Sequence, residues 1–247
     1  MLAEQRTAAI LVELAQRRAV TVSDLCLVTG ASEATIRRDL NSLARQGKLS
    51  KVHGGAVLPE GEFHGEEPDM ETKSQLHMAE KDRIGRYAAS LVSDDDIVFL
   101  DAGTTVLQMA EHLQESKALF LTNSIDCARR LMERGLRAYV LGGMLKPGTA
   151  AIVGAQTLEA LRRCNFTKAF LGMNGVAVSQ GFTTPDPEEA ALKALAASRA
   201  QAAWVLADSS KFGQITAAAV LPIEAAAIIT DHLPDERYRE YTEIKEV

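Results

Sequence analysis

Residues 31–56 constrain the possible folds of this chain most strongly, because a short amphipathic helix pattern is followed there by a basic hairpin pattern. Ile36, Leu40 and Leu43 recur at three- and four-residue spacing and form one apolar stripe for packing. Residues 48–58 then mix β-branched and basic residues around a Gly-Gly pair, which permits a sharp backbone reversal. The segment therefore predicts a helix that packs by one face, followed by a basic β-hairpin.

Two further apolar patterns precede this helix. One runs from Gln5 to Arg18 and a shorter one from Val22 to Val28. Thr29-Gly30 suits a tight turn between two helices, and Ser32 is a good N-cap because its hydroxyl accepts from the unpaired N–H groups of the first turn. The order helix, helix, turn, helix, hairpin predicts a winged helix-turn-helix domain over residues 1–58.

The polar face of the third helix suits the major groove of DNA, where residues near a helix N-terminus usually read bases. Arg38 has the donors to hydrogen-bond the edge of a guanine, and the Ala34 methyl can pack against a thymine methyl. Thr35 can hydrogen-bond a base or a phosphate. Basic residues further along the helix and in the hairpin suit phosphates, and these are Arg37, Arg45, Lys48 and Lys51. The complete predicted set of DNA-binding residues is Ser32, Ala34, Thr35, Arg37, Arg38, Asn41, Arg45, Lys48, Lys51 and His53.

The Arg37-Arg38 pair also has a simpler interpretation as part of a solvated helix face, with Glu33 and Arg37 paired at i, i+4. A second alternative is a winged helix that contacts only other proteins. The cap, the preceding turn and the basic hairpin agree with one another, and this agreement favours DNA binding.

Two elements of this region carry a family resemblance. Ser32 to Leu40 reads Ser-Glu-Ala-Thr-Ile-Arg-Arg-Asp-Leu, and Val52 to Ala56 reads Val-His-Gly-Gly-Ala. Residues 1–58 resemble the DNA-binding domain of the DeoR family of bacterial transcription regulators, which shares both elements. The resemblance implies operator DNA as a partner.

Charge is divided unevenly along the chain. The formal net charge is −6, yet residues 1–58 hold eight Lys and Arg against five Asp and Glu. The DNA phosphates repel the acidic remainder of the chain, so we expect only the basic residues 1–58, the DNA-binding head, to contact DNA. This binding is expected to weaken as the salt concentration rises. Because the basic surplus is modest, binding is expected to need two heads at once, which predicts self-association as a dimer or a tetramer.

At 247 residues the chain is long enough for two domains. Residues 59–70 are rich in Pro, Gly and acidic residues without sustained periodicity, and they predict a linker. Residues 71–247 are expected to form an effector-binding and oligomerisation domain, and a connecting helix that docks on this domain is predicted over Glu71 to Val92.

Other sequence features limit the location and the cofactors. No stretch is long and apolar enough to span a bilayer, and the charged N-terminus does not resemble a signal peptide, so we expect a cytoplasmic protein without a membrane partner. Cys26, Cys127 and Cys164 are odd in number and far apart, which argues against a disulfide or zinc framework. The histidines lie at no ligand spacing, and no nucleotide-binding glycine motif follows a strand, so neither a metal nor another cofactor is expected.

Short apolar runs alternate with helix-length segments from Asp96 onward, which is typical of a mostly parallel sheet covered by helices. The fold class is therefore α/β with an N-terminal winged helix-turn-helix. Ligands in such sheets bind at the carboxyl ends of the strands. The predicted start of a helix at Gly103, Thr104 and Thr105 offers N–H groups and hydroxyls that can bind a phosphate, and Lys211 adds a positive charge. The simpler alternative is that these residues form an ordinary strand-to-helix turn. The predicted effector-binding residues are Asp101, Gly103, Thr104, Thr105, Thr122, Asn123, Gly142, Gly143, Asn174, Gly175, Glu189, Asp208 and Lys211.

Motifs of the second half extend the resemblance to nearly the whole chain. Asp-Ala-Gly-Thr-Thr at 101–105 and Asp-Ser-Ser-Lys-Phe-Gly at 208–213 are similar to the DeoR family's sensor domain. The resemblance implies a phosphosugar sensor whose fold is related to ribose-5-phosphate isomerase and coenzyme A transferases. It leads us to expect a repressor of a sugar or polyol operon, relieved by a phosphorylated intermediate.

An enzyme is the main alternative, because that fold relationship includes sugar-phosphate isomerases and deaminases. The deaminases place an acid and a histidine after the fourth strand, whereas residues 172–182 contain neither. Three carboxylates follow shortly after, at Asp186, Glu188 and Glu189, so the sequence does not exclude a carboxylate as a general base. We expect no catalytic residue and no turnover.

Overall fold

The computed structural model describes residues 3–17, 19–45, 48–52, 54–57, 62–63 and 70–247. The chain divides into two compact units, residues 1–60 and residues 61–247. We call them the N-terminal unit and the C-terminal unit.

Three helices and a small antiparallel sheet make up the described part of the N-terminal unit. The sheet has the order β1-β3-β2, in which β2 and β3 form the hairpin and β1 pairs with β3. The elements are α1 (Ala3–Arg17), β1 (Ala19–Thr21), α2 (Val22–Thr29), α3 (Glu33–Arg45), β2 (Ser50–Val52) and β3 (Gly55–Val57).

Local chemistry explains where these helices begin and end. Thr21 and Asp24 form a capping box at the start of α2. Gly30 ends α2 with φ 68°, a left-handed conformation that glycine adopts without a Cβ penalty. Buried apolar residues from all three helices then form one core, which includes Ile10, Leu14, Leu25, Ile36, Leu40 and Leu43.

A larger α/β fold forms the C-terminal unit, whose helices and strands among the described residues run in the following order. They are β4 (Glu62–Phe63), α4 (Met70–Gln75), α5 (Met78–Ser90), β5 (Ile97–Leu100), α6 (Thr104–His112), β6 (Leu119–Thr122), α7 (Ile125–Glu133), β7 (Arg137–Val140), β8 (Met144–Leu145), β9 (Ile152–Val153), α8 (Ala155–Arg162), β10 (Phe166–Gly172), β11 (Gly175–Ala177), β12 (Gly181–Thr184), α9 (Pro187–Ser198), β13 (Ala200–Leu206), β14 (Gln214–Ile215), β15 (Ala218–Leu221), β16 (Ala227–Thr230) and β17 (Ile244–Glu246).

The central sheet contains seven of the described strands in the order β17-β16-β13-β10-β5-β6-β7, all parallel. The chain proceeds from β5 through β6 to β7 on one side and continues with β10 on the other side of β5. The strand order therefore reverses between β5 and β10, where parallel sheets place a ligand crevice.

Both faces of the sheet are covered. Helices α5, α6 and α7 bury Ile84, Met109 and Leu131 against one face. Helices α8 and α9 bury Leu161 and Leu192 against the other, together with the small antiparallel sheet β11-β12-β15. This coverage explains the nearly continuous apolar runs of the strands.

The structure differs from the sequence-based expectations in several places. Residues 62–63, which lie within the predicted linker, form strand β4 and pair with β14 of the C-terminal unit. The helix expected from Glu71 to Val92 is two helices, α4 and α5, separated at His77, whose φ of 54° is left-handed and does not continue a helix. The small antiparallel pairings β8-β9 and β11-β12-β15 were not predicted. Val28 was predicted to lie on an apolar stripe, but it is 42% exposed because α2 packs through Val22 and Leu25.

Candidate functional site

Helix α3 presents a basic polar surface on the face opposite the core. Ala34, Arg37, Arg38, Asn41 and Arg45 are all exposed, and Thr35 is half-buried. The buried stripe of Ile36, Leu40 and Leu43 fixes the rotation of the helix about its axis. The face that the sequence predicts to contact DNA is therefore accessible.

Ser32 begins this helix as its N-cap. Its Oγ accepts from the Thr35 N–H at 3.4 Å and lies 3.0 Å from the Thr35 Oγ1. This bond occupies one of the unpaired donors of the first turn. It also holds the Thr35 hydroxyl at the N-terminal end of α3, where base contacts are usually made.

An ion pair attaches α3 to α1. Arg6 Nε lies 2.5 Å from Asp39 Oδ2, and both side chains are 14% exposed. Sequence reasoning counted these two residues only as charges. The bond occupies Asp39, the acidic neighbour of Arg38, so that this carboxylate is turned toward α1.

Contacts among the other predicted residues join the hairpin to α3. Lys51 in β2 donates through Nζ to Asn41 Oδ1 at 2.6 Å, and Arg45 Nε donates to the Asn41 carbonyl oxygen at 3.3 Å. Arg37 pairs with Glu33 at 3.4 Å, as the simpler interpretation expected, whereas Arg38 makes no ion pair or side-chain hydrogen bond to the described residues. Lys48 is exposed, and His53 lies outside the described residues.

A cleft opens in the C-terminal unit where the strand order reverses. Ala102 and Gly103 follow β5 at its floor, and Met173 and Asn174 follow β10. The lining residues are Lys73, Lys81, Ala102, Gly103, Thr104, Thr105, Thr149, Gly172, Met173, Asn174, Glu189, Lys193, Leu206 and Lys211.

The N-terminus of α6 lies in the cleft. Gly103 is the N-cap and makes no side-chain cap bond, while Thr104 and Thr105 supply the first helical turn. The first N–H groups of a helix have no partner within it and carry the positive end of the helix dipole. This part of the cleft suits an anionic group.

Acidic and basic side chains form a buried network along one wall of the cleft. Asp101 contacts the Lys193 ammonium, and its Oδ2 accepts from the Gly172 N–H at 3.0 Å. Glu189 Oε1 accepts a hydrogen bond from Lys146 Nζ at 2.8 Å, and Glu189 Oε2 lies 3.9 Å from Lys193 Nζ. Each carboxylate is thus held by a cation from another element, and the network fixes α9 against the ends of β5 and β10.

The two carboxyl groups of this network differ in their acidity. Burial raises the pKa of Asp101, and Lys193 opposes that rise without cancelling it. Burial also raises the pKa of Glu189, but Lys193 and Lys146 outweigh it and hold that pKa below its usual value. Glu189 Oε1 additionally accepts from the Thr149 hydroxyl at 3.2 Å. The Glu189 carboxylate is therefore charged and hydrogen-bonded at neutral pH.

Three lysines form a cationic end of the cleft. Lys73 comes from α4, Lys81 from α5 and Lys211 from the short 3-10 helix after β13. Lys81 is 5% exposed, and its burial lowers its pKa to about 8. Lys211 Nζ lies 3.5 Å from Oδ2 of the buried Asp208. This end combines ammonium groups that a tetrahedral anion would neutralise.

Several of the residues predicted from the strand ends meet in the cleft. Asp101 and Asp208 lie just behind the lining and contact Lys193 and Lys211. Those that line the cleft are Gly103, Thr104, Thr105, Asn174, Glu189 and Lys211.

The remaining predicted effector residues lie outside the lining. Thr122 ends β6 and Asn123 follows it, and both bond to the neighbouring backbone, Asn123 through Nδ2 to the Ile152 carbonyl at 3.4 Å. Gly142 and Gly143 follow the edge strand β7 and adjoin Thr157. Gly175 lies in β11.

Sequence reasoning missed Lys73, Lys81 and Lys193, which lie on helices rather than at strand ends. Lys193 follows Glu189 by four residues, and this spacing was the only local signal for it. Thr149 and Gly172 were also missed.

A search of the described residues for a helix long and apolar enough to cross a membrane finds none.

Comparisons with known proteins agree on one family. Residues 6–62 match the DeoR-like helix-turn-helix domain, and residues 76–232 match the DeoR C terminal sensor domain. An uncharacterized HTH-type transcriptional regulator, FruR of Bacillus subtilis, is 41% identical over all of this chain and 99% of its own. The HTH-type transcriptional repressor GlcR of the same organism is 34% identical, over 96% of this chain and 92% of its own.

Two further proteins resemble the chain less closely. The lactose phosphotransferase system repressor of Staphylococcus epidermidis is 32% identical, over 88% of this chain and 87% of its own. Ribose 5-phosphate isomerase A of Methanocaldococcus jannaschii overlaps 53% of each chain, with 16% identity and a TM-score of 0.40. Since the two family models together span most of the sequence, the chain belongs to the DeoR family of transcriptional regulators, with a DNA-binding helix-turn-helix domain and a sensor domain.

Proposed function

We propose that this regulator represses an operon for the use of a sugar or polyol, and that a phosphorylated intermediate of that use relieves the repression by binding the cleft. The observation that carries the proposal is the chemistry of the cleft, which combines the cationic end with carboxylate, hydroxyl and amide groups in the rest of its lining, here called the polar end. A phosphorylated polyhydroxy compound complements both ends. Relatives named as a repressor and as a lactose phosphotransferase system repressor support the same function.

The phosphate group is assigned to the cationic end. Lys211 and Lys81 supply positive charge there, and the N–H groups of Thr104 and Thr105 supply donors at the start of α6. Charge-assisted hydrogen bonds of this kind are about twice as strong as neutral ones. We expect a phosphorylated ligand to bind more tightly than the same sugar without phosphate.

Hydroxyl groups of the ligand are assigned to the polar end. Asn174 lines it with its amide held by Thr184, whose hydroxyl donates to Asn174 Oδ1 at 3.1 Å. Glu189 and Thr149, which are hydrogen-bonded to each other, also line the cleft. These groups are fixed by the surrounding network, and such preorganised polar groups read the positions of hydroxyls.

Operator recognition is assigned to α3 and the hairpin of the N-terminal unit. Arg38 is proposed to read a guanine edge, and Arg45, Lys48 and Lys51 to contact phosphates. Their exposure on one face of the unit supports this division. We propose that the protein acts in the cytoplasm, where the operator DNA of a bacterium lies.

Self-association is proposed to occur through the β7 edge of the central sheet with a second copy of the chain. Tyr139 and Val140 lie on this edge strand and are 60% and 47% exposed. The opposite edge, β17, instead carries the charged Lys245 and Glu246, which discourage strand pairing. Antiparallel pairing of β7 with its copy satisfies two-fold symmetry and gives the two DNA-binding heads that a modest basic surface needs.

Tyr139→Glu tests this interface. It is expected to convert the oligomer to smaller species in light scattering, whereas Tyr241→Glu, at a tyrosine that is 40% exposed elsewhere, leaves the mass unchanged. An unchanged mass in both variants would place the interface on another surface.

Effector control is tested by titrating phosphorylated sugars and polyols against a DNA sequence selected from a random library with the full chain. At least one phosphorylated compound is expected to lower DNA affinity about 5- to 150-fold, which is the usual range of coupling between two sites. The same compound without phosphate is expected to have a much smaller effect. Equal DNA affinity with every saturating compound would refute the effector function.

We propose that the cleft binds its ligand without converting it. Relatives are named as regulators rather than enzymes, and the cleft carboxylates are held in ion pairs that compete with proton transfer to a ligand. Sustained conversion of the effector by the purified chain, lost in Glu189→Gln, would establish an enzyme instead.

A further inference from the structure

Helix α4 stands between the two functions of the chain. In chain order it is the first helix after the N-terminal unit, and strand β4 is the first strand. Of the α4 side chains that the structure describes, Lys73 is the one that is partly buried, and it lines the cleft. A residue of α4 therefore forms part of the proposed effector site.

Strand β4 is joined to the segment that follows Lys211. It pairs with β14 in the register Gln214 to Glu62 and Ile215 to Phe63. Strand β14 begins three residues after Lys211, and the intervening Gly213 N–H is fixed by the Val176 carbonyl at 2.8 Å. The cationic end thus connects to α4 through Lys73 and to β4 through the segment that carries Lys211.

The Lys81 ammonium lies near two other ammonium groups and a carboxylate. Burial is the main cause that lowers the pKa of Lys81, the charges of Lys211 and Lys73 lower it further, and the Asp208 carboxylate opposes them. The Lys81 Nζ donates to the backbone carbonyl of Lys73, so Lys81 holds α4 through an uncharged acceptor. An anion between these lysines replaces the repulsion by attraction to a common partner.

We propose that α4 is a phosphate-operated connector, in which the effector phosphate bridges Lys73 to Lys81 and Lys211 and thereby fixes α4 and β4 against the C-terminal unit. This inference rests on the proposed function, since it gives the phosphate of the effector a second role. Fixing the first two elements of the unit restricts the positions that the DNA-binding heads reach, and DNA affinity falls for that reason. Lys73 is then a coupling residue more than an affinity residue.

Hydrogen exchange of the full chain tests the connector, with inorganic phosphate as the probe and chloride at matched ionic strength as the reference. Saturating phosphate is expected to slow amide exchange at residues 70–77 and 62–63. Lys73→Gln is expected to bind phosphate roughly 3- to 10-fold more weakly and to lose the slowing at residues 70–77. Lys73→Arg is expected to restore it, and Lys117→Gln, which removes an exposed lysine outside the lining, is expected to match the wild type.

DNA affinity gives a second readout that a structural role for Lys73 would not change. Without phosphate, Lys73→Gln is expected to bind the selected DNA as the wild type does, and saturating phosphate is expected to release it much less. The connector is refuted if phosphate binds the wild type without slowing exchange at residues 70–77, or if Lys73→Gln shows the wild-type slowing or release. Absence of saturable phosphate binding to the wild type would instead refute the effector site itself, and the connector with it.

Discussion

The two functional surfaces of this chain are built in opposite ways. On α3 the candidate DNA contacts are exposed side chains from one short segment, and Arg38 is accessible on the surface. In the cleft the candidate contacts come from segments more than one hundred residues apart, and Lys81, Glu189 and Lys193 are all at most 5% exposed. A surface of exposed local residues tolerates single changes, whereas a buried network does not.

This contrast predicts the largest effect for Lys193→Met, which removes the buried cation beside Asp101. An uncompensated buried carboxylate costs about 3–5 kcal/mol, so the C-terminal unit is expected to lose that much stability. Trp204, the single tryptophan of the chain, lies in β13 and reports the unfolding of this unit in urea.

Lys245→Met provides the matched control for that experiment. It removes a lysine paired with Glu243 on the surface, and exposed pairs contribute little to stability. The double variant Asp101→Asn with Lys193→Met is expected to recover part of the loss, because the Asp101 charge is then absent and the Glu189 carboxylate keeps its ion pair with Lys146. Equal stability of Lys193→Met and Lys245→Met would remove the contrast between the two surfaces.

Arg38→Ala probes the exposed surface and is expected to have the next largest effect. Loss of a bidentate base contact weakens binding to the selected DNA by about 1–3 kcal/mol and relaxes the preference at one base pair. Folding stability is expected to stay unchanged, since Arg38 makes no ion pair within the described residues. Arg37→Ala, at the neighbouring exposed arginine, is expected to weaken all DNA sequences equally. An unchanged base preference in Arg38→Ala would indicate that Arg38 contacts a phosphate and not a base.

The same contrast explains how much of the molecule follows from the sequence. The winged helix was predictable because its signals are local, namely the Ser32 cap and the stripe from Ile36 to Leu43. The parallel sheet was predictable because each buried strand is a short apolar run between helical segments. These elements need no knowledge of distant contacts.

Most of the predicted cleft residues follow a strand at the reversal of strand order, and Glu189 in α9 and Lys211 after β13 are the two that do not. Gly103 and Asn174 follow β5 and β10 and line the cleft, whereas Gly142 follows the edge strand β7 and does not. The strand order that separates these cases arises from tertiary pairing. Lys81 and Lys193 were not predicted as cleft residues, because a lysine on a helix is expected to be solvent-exposed and only tertiary packing shows that it is buried.

Titration of Lys81 gives a smaller effect that is specific to the cleft. Because burial lowers the pKa of Lys81 to about 8 and a bound phosphate favours the charged ammonium, phosphate affinity is expected to fall as the pH rises above about 8. The fall approaches tenfold per pH unit, and below pH 8 this lysine contributes no pH dependence. The charged groups that act on Lys81 are Asp208, Lys211, Lys73 and Glu80.

Lys81→Arg is the matched variant for this titration. It keeps the positive charge throughout the accessible pH range and is expected to remove the fall above pH 8. Isothermal titration with inorganic phosphate from pH 7 to 9 measures both chains. A wild-type affinity that is flat across pH 8 would show that the phosphate lies away from Lys81.

Lys51→Ala is expected to have the smallest effect and tests the exposed surface at its edge. Lys51 joins the hairpin to α3 through Asn41, but both residues are exposed, so stability is expected to change by no more than about 0.5 kcal/mol. If Lys51 contacts a phosphate, the slope of log affinity against log salt falls by about 1, and selected and random DNA lose affinity equally. Unequal losses of affinity for selected and random DNA would show that the hairpin contributes to sequence recognition. The contact between Lys51 and Asn41 would then take part in base reading and not only support it.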